Sequence, residues 1–121
     1  MGDVQKKIEN EVVQLKGTQK EYQKAISTRQ QLDAQLNENQ VVKDELNLLS
    51  EDRKIYKAIG PALIKMEIIE AKQNVAKRID YINKEIKRFD EIILNLEKKQ
   101  DGHRETLHKL QQDKMKTSLK A

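Results

Sequence analysis

The sequence predicts a mostly α-helical protein in which two long helices form an antiparallel coiled coil and one central β-hairpin joins them. Apolar residues recur at heptad spacing in both halves, and a Gly-Pro pair lies between two short apolar runs near the middle. The 121 residues are 36% charged and 3% aromatic, which is unusual for a compact globule. Without cysteine, disulfides, cysteine-rich zinc sites and a thiol nucleophile are excluded.

The C-terminal half contains the clearer heptad pattern. Steps of four and three alternate over about five repeats, as coiled-coil packing requires. Two polar residues interrupt the row, and Gly102 beside them lowers helix propensity. The predicted seam is Val75, Ile79, Ile82, Ile86, Phe89, Ile93, Leu96, Gln100, His103, Leu107 and Leu110.

The N-terminal half repeats the pattern less cleanly. The rhythm slips near Arg29, and such a slip locally unwinds a supercoil without ending it. Folding the chain at its middle pairs Ile8 with Leu110 and Ile26 with Ile93, so both ends lie at one tip. The predicted seam is Ile8, Val12, Leu15, Gln19, Tyr22, Ile26, Leu32, Leu36, Asn39, Val42, Leu46 and Leu49.

The predicted organisation is one domain of residues 1–121. An N-terminal helix covers residues 3–50, a β-hairpin residues 53–67, a C-terminal helix residues 68–116 and a tail residues 117–121.

The hairpin is predicted from two runs rich in β-formers, residues 55–59 and 62–66. Gly60 and Pro61 between them suit a type II′ turn. An isolated two-stranded hairpin is marginal in water, so it is expected to join a sheet supplied by other subunits. The alternative is an apolar cap over the coiled coil. The assembly residues are Ile55, Tyr56, Ile59, Gly60, Pro61, Leu63, Ile64 and Met66.

The positive charge is concentrated in residues 98–121, which have seven Lys or Arg and three Asp or Glu. The remaining residues carry 17 of each sign. This basic end is either a solvated tail or a contact for an acidic partner or RNA. No apolar run is long enough to span a membrane and no secretory signal is present, so a soluble, intracellular protein is expected.

Residues 54–65, Lys-Ile-Tyr-Lys-Ala-Ile-Gly-Pro-Ala-Leu-Ile-Lys, resemble the β-class subunits of prefoldin. The resemblance continues through Glu70-Ala71, Asn74-Val75, residues 77–82 and residues 85–88. Met66 departs from the family pattern, where a glutamine-like residue is expected.

The resemblance implies a non-enzymatic, cytoplasmic chaperone subunit that needs no cofactor. Prefoldin is a heterohexamer of α-class and β-class subunits, whose hairpins form a double β-barrel and whose coiled coils project from it. It holds unfolded actin and tubulin and passes them to the cytosolic group II chaperonin without ATP. Nucleic acid and membrane partners are not expected.

Holding an unfolded chain requires exposed, adaptable apolar surface. The client-binding candidates lie toward the two ends of the chain: Val4, Ile8, Val12, Val13, Leu15, Leu107, Leu110 and Met115. For Val12, Leu15 and Leu107, closure of the coiled coil's end is an equally good interpretation. The candidates for electrostatic contact with client or chaperonin are Lys109, Lys114, Lys116 and Lys120.

Two other functions fit parts of the pattern. A structural tether or scaffold would need the coiled coil but not the apolar middle segment. A basic helix that binds RNA or membranes would need clustered charge with aromatic residues for stacking, which this sequence has few of. No catalytic constellation is present: His103 and His108 do not share a helix face, and no glycine belongs to a phosphate-binding motif.

Overall fold

The computed structural model describes residues 2–51 and 61–120, and the side chains of residues 2–49 and 67–119. Helix α1 covers Gly2–Glu51 and helix α2 covers Pro61–Lys120. Both helices are long, as the heptad pattern predicts. Helix α2 begins before residue 68 and continues through most of the segment that was predicted to be a tail.

The predicted β-hairpin is not seen, because the described residues contain no β-strand. Its second strand, residues 62–66, is helical and belongs to the first turns of α2. Proline is favoured at the first position of a helix, because it lacks only an N–H that would be unpaired there. The Ala, Leu, Lys and Met residues that follow are strong helix formers. The first strand, residues 55–59, and Gly60 lie outside the described residues.

The seam of α2 is confirmed along its whole length. Every predicted member from Val75 to Leu110 is buried or half-buried. The most deeply buried apolar residues of α2 are Ile68, Val75, Ile82 and Leu96, which are spaced by seven residues or a multiple of seven. The row therefore begins one heptad before Val75. A strict seven-residue repeat favours a left-handed supercoil.

The seam of α1 keeps the heptad repeat without a break from Val4 to Asn39, so the predicted slip near Arg29 is wrong. Predicted members Gln19, Val42 and Leu49 are exposed. Some inward positions are instead held by residues that the apolar pattern did not single out, among them Thr18 and Ala25. The buried or half-buried seam positions are Val4, Ile8, Glu11, Leu15, Thr18, Tyr22, Ala25, Arg29, Leu32, Leu36, Asn39 and Leu46.

The chain divides into two compact units, each containing a segment of both helices. The first unit contains residues 2–28 and 89–120, and the second contains residues 29–51 and 61–88. In the second unit, Leu32, Ile68, Val75 and Ile82 are buried. Gln35 and Asn39 of α1 line one groove with residues 77, 78, 81 and 82 of α2.

Three hydrogen bonds show that the helices of the first unit are antiparallel. Lys114 Nζ donates to Gln5 Oε1 at 2.6 Å. His103 Nδ1 lies 2.9 Å from Glu11 Oε2, and Tyr22 Oη donates to Glu97 Oε1 at 3.2 Å. As α1 is followed forward, its partners run backward along α2. The fold-back pairing predicted for the N- and C-terminal residues is confirmed in this unit.

Gly17 and Gly102 lie within the helices of the first unit, where neither is needed for packing. A Cβ atom added to either would meet no atom within 4 Å. Glycine in a helix interior costs about 1 kcal/mol relative to alanine. Both positions therefore weaken the first unit without a compensating close contact.

Replacing Leu96 with alanine should destabilise the coiled coil far more than replacing Leu94. Leu96 is 8% exposed and Leu94 is 50% exposed. We expect L96A to lower the free energy of unfolding by about 2–3 kcal/mol and L94A by less than about 0.5 kcal/mol. Urea unfolding followed by circular dichroism would measure both. Equal effects would contradict the assigned seam.

Replacing Gly17 and Gly102 with alanine should stabilise the chain. Each substitution should raise the free energy of unfolding by about 1 kcal/mol, since the added methyl groups enter open space. Thermal unfolding would show this as a higher Tm. Gly2→Ala is the matched control, because it also meets no atom but lies at the helix terminus, where it should change little. A lower Tm for G17A would contradict the open space assigned beside Gly17.

Candidate functional site

The tip of the first unit, defined here as residues 2–16 and 104–119, contains most of the predicted client-binding residues. Val4, Ile8, Leu107 and Leu110 are half-buried along the seam. Val12 is also half-buried, beside the seam position held by Glu11. The structure thus brings these residues together between the two helices. They are only partly available to a binding partner while the helices are paired.

Other apolar side chains of the tip are fully displayed. Val13 is 68% exposed, Met115 is 66% exposed and Leu119 is 84% exposed. The sequence pattern did not single out Leu119, because its segment was predicted to be a tail. Because the helix continues to Lys120, Leu119 lies one turn after Met115 on the same side. This four-residue spacing is the sequence signal that could have identified Leu119.

A groove lies between the helices within the tip. It is lined by Gly2, Val4 and Gln5 of α1 and by Lys114 and Thr117 of α2. The hydrogen bond from Lys114 to Gln5 crosses this groove. The groove therefore places an apolar side chain, Val4, beside polar groups from both helices.

Polar residues occupy the seam where the tip meets the remainder of the first unit, and we call Glu11, Thr18, Gln100 and His103 the polar section. Glu11 and His103 are both half-buried and hydrogen-bonded to each other. Thr18 is 6% exposed and Gln100 is 7% exposed. Thr18 Oγ1 donates to the Gln14 carbonyl at 2.9 Å, so its hydroxyl is satisfied within its own helix.

The glycines lie at the level of the polar section. Gly17 precedes Thr18, and Gly102 precedes His103. Gln100 lines a groove with Lys16 and Gln19, which places the two buried polar residues close together along the helices. Weak helix propensity and weak apolar packing thus coincide at one level of the first unit.

Apolar packing resumes beyond the polar section with Ala25 and Leu96, which are buried. Tyr22 lies at this boundary and donates its hydroxyl to Glu97. Partial desolvation, followed by the hydrogen bond to Glu97 and the charge of its carboxylate, raises the pKa of Tyr22 above its ordinary value. The phenol therefore stays a hydrogen-bond donor at neutral pH.

The predicted electrostatic residues Lys109, Lys114 and Lys116 are exposed. Lys109 and Lys116 are one heptad apart and lie on the same side of α2. Lys120 is the last residue of α2, and its side chain lies outside those described. The structure thus displays basic groups at the same tip as the exposed apolar residues.

The predicted assembly residues are only partly within the described chain. Ile55, Tyr56, Ile59 and Gly60 lie outside it, whereas Pro61, Leu63, Ile64 and Met66 belong to the first turns of α2. The second unit also displays large apolar side chains that the sequence pattern did not single out for assembly. These are Val41, Val42, Leu48, Leu49, Ile69 and Tyr81.

Two other features are absent from the described residues. No three His, Cys, Asp or Glu side chains lie close enough together to hold a metal ion. Neither described helix has a stretch long and apolar enough to cross a membrane.

Comparison with known proteins identifies the family. A family model described as "Prefoldin subunit" matches residues 9–114. The human protein named prefoldin subunit 6 is 46% identical over 110 residues, which cover 91% of this chain and 85% of the relative. The Arabidopsis thaliana prefoldin subunit 6 has the same identity and coverage. The probable prefoldin subunit 6 of Drosophila melanogaster is 47% identical over 107 residues, covering 88% of this chain and 86% of the relative.

No solved structure matches the chain significantly. The family match and the relatives nevertheless agree with the two long paired helices and their heptad seams. The family match covers most of both helices, because it spans residues 9–114. The chain therefore belongs to the prefoldin subunit family of chaperones.

Proposed function

We propose that this chain is an ATP-independent holdase subunit of a hexameric prefoldin complex in the cytoplasm. Its tip binds unfolded polypeptides such as actin and tubulin, and the complex delivers them to the cytosolic group II chaperonin. The membership of the family supports assembly with other prefoldin subunits. The actin, tubulin and chaperonin contacts are proposed from the resemblance described above.

The main observation that supports the proposal is the exposure of apolar side chains at the tip. Val13, Met115 and Leu119 are each more than half exposed, although exposure of large apolar groups carries a cost in water. Methionine is flexible and polarizable, so Met115 suits partners of irregular shape. Unfolded clients offer such partners, because they have no fixed surface that a shaped pocket would recognise.

The polar section lets the tip offer more apolar surface than the paired helices display. Local opening is cheapest where few apolar contacts must be broken. Between Ala25 and Ile8, the apolar seam is interrupted by Thr18 and Glu11, and Gly17 and Gly102 further weaken the helices. Opening at this level would uncover Ile8, Leu107 and Leu110 for a client while the remainder of the first unit stays paired.

The exposed lysines of the tip are suited to an acidic surface. Lys109 and Lys116 lie together on one side of α2, and positive charge there speeds encounter with a negatively charged chaperonin or client. Such an interaction weakens as salt rises, because the charges are exposed and readily screened.

The apolar side chains of the second unit support a separate assembly surface. Val41, Leu48 and Ile69 are exposed there, close in sequence to the apolar segment of residues 55–66. Exposed apolar patches mark protein contacts. We propose that this surface and residues 55–66 contact neighbouring subunits, whereas the tip is left for clients.

Replacing Val13, Met115 and Leu119 with serine should impair client holding without unfolding the chain. These side chains contribute little to the seam because they are largely exposed. Light scattering of chemically denatured actin diluted into the assembled complex, without nucleotide, would measure suppression of aggregation. We expect the triple variant to need at least about threefold more complex for the same suppression, in line with the loss of about 0.7 kcal/mol or more of contact energy.

Leu94→Ser is the control for the tip variant, because Leu94 is half exposed and lies in the first unit but outside the tip. It should leave suppression unchanged. Full suppression by the triple variant, with unchanged helix content, would contradict client binding at the tip.

Replacing Ile59 and Leu63 with aspartate should abolish assembly while leaving most of the helical content. Two charges in a contact between subunits would be buried without partners. Co-purification with the partner subunits, followed by native mass measurement, should show a six-chain complex for the unaltered chain and none for the variant. Asn83→Asp, at an exposed position, is the control. A lone dimer of the unaltered chain would instead indicate a structural tether.

A further inference from the structure

A groove with three cations lies between the helices of the first unit, at the level of the polar section. Lys16 and Lys20 of α1 line one side, and Arg104 of α2 lines the other. Among the described residues, no Asp or Glu lines this groove. It does not include Lys109, Lys114 or Lys116, and it has no part in the apolar surface proposed for client binding.

The lysines of this groove lie in an unfavourable arrangement for a helix without a ligand. Lys16, Lys20 and Lys24 follow one another at four-residue spacing, and like charges so placed destabilise a helix. Within the described part of the chain, neither Lys16 nor Lys20 takes part in an ion pair. Arg104 Nη1 lies 3.4 Å from Asp101 Oδ1, but both side chains are more than half exposed, so this pair is easily exchanged for another.

Amide groups line the rest of the groove. Gln19 and Gln23 lie beside the lysines, and Gln100 reaches the groove from its buried position. Each amide can donate and accept a hydrogen bond, so together they can pair with the N–H and C=O groups of an extended peptide backbone. Tyr22 also lines the groove, and its hydroxyl is already donated to Glu97.

The spacing of the cations matches an extended polypeptide. Residues four apart in an α-helix are separated by about 6 Å along the axis. Alternate residues of an extended chain are separated by about 6.6 Å. Carboxylates at every second position of an extended segment can therefore meet Lys16 and Lys20 in turn while the backbone lies along the glutamines.

We propose that this groove binds an extended acidic segment of an unfolded polypeptide, through Lys16, Lys20 and Arg104. This inference rests on the proposed function, to which it adds a class of client sequence. A polypeptide is favoured over RNA because the groove offers three amides and a single aromatic ring, whereas binding of single-stranded nucleic acid depends on stacking on several rings.

The test uses a fluorescein-labelled ten-residue peptide in which glutamate alternates with serine. Fluorescence anisotropy would measure its binding to the full 121-residue chain at about 50 mM salt, where surface charges are weakly screened. The groove variant is Lys16→Gln, Lys20→Gln and Arg104→Gln. The control is Lys77→Gln, Lys84→Gln and Lys87→Gln, which changes the net charge equally at exposed positions outside the first unit.

We expect the groove variant to lose about tenfold in affinity, as the loss of three exposed ion pairs implies, and the control to lose less than about twofold. Circular dichroism should show equal helix content in all three proteins. Absence of binding by the unaltered chain, or equal losses in both variants, would overturn the proposal. Equal or tighter binding of a ten-nucleotide RNA with the same variant sensitivity would also overturn it.

The two proposals can fail separately. The groove variant should still suppress aggregation of a client without acidic runs, because its apolar tip is unaltered. Peptide binding by a chain whose complex fails to suppress aggregation would contradict the proposed holdase function and not the groove. Suppression without peptide binding would contradict the groove alone.

Discussion

The structure depends on two narrow heptad stripes that can be buried only against a partner helix. The buried apolar residues of the described chain are few: Ala25, Leu32, Ile68, Val75, Ile82 and Leu96. They form a line of side chains between two helices, not a core with several layers. Each segment is therefore stabilised mainly by the residues directly across from it. Such packing allows one section to open while others stay paired.

The polar section favours one register of the two helices of the first unit, and it weakens their packing at that level. Moving one helix by a heptad would place Glu11 opposite an apolar side chain, and burying an unpaired carboxylate is costly. The contact between Glu11 and His103 thus favours one register, as single polar residues do in other coiled coils. The same section lacks the apolar contacts that hold Leu96 and Val75 in place.

The sequence predicted the seam of α2 correctly because Val, Ile, Leu and Phe fill nine of its eleven positions. It misplaced part of the seam of α1 because Glu11, Thr18 and Arg29 occupy inward positions there. Apolar neighbours such as Ile26 then suggested a different phase, and the slip near Arg29 followed from it. The second strand was mispredicted because residues 62–66 combine β-branched character with strong helix formers. A proline at the first helical position favours the helix, and apolar pattern alone does not weigh that effect.

Opening of the helices at the tip would explain both the weak packing of the polar section and the exposed apolar groups of the tip. A seam filled with leucine at residues 11, 18, 100 and 103 would be more stable, but it would hold Ile8 and Leu110 against each other instead of offering them to a client. Function at flexible sites commonly limits stability in this way. The cationic groove lies at the same level, so an acidic segment bound there would lie next to the place where the helices part. Charge would then hold a client loosely while the neighbouring apolar side chains engage it, and the apolar contacts would be lost first when the helices pair again.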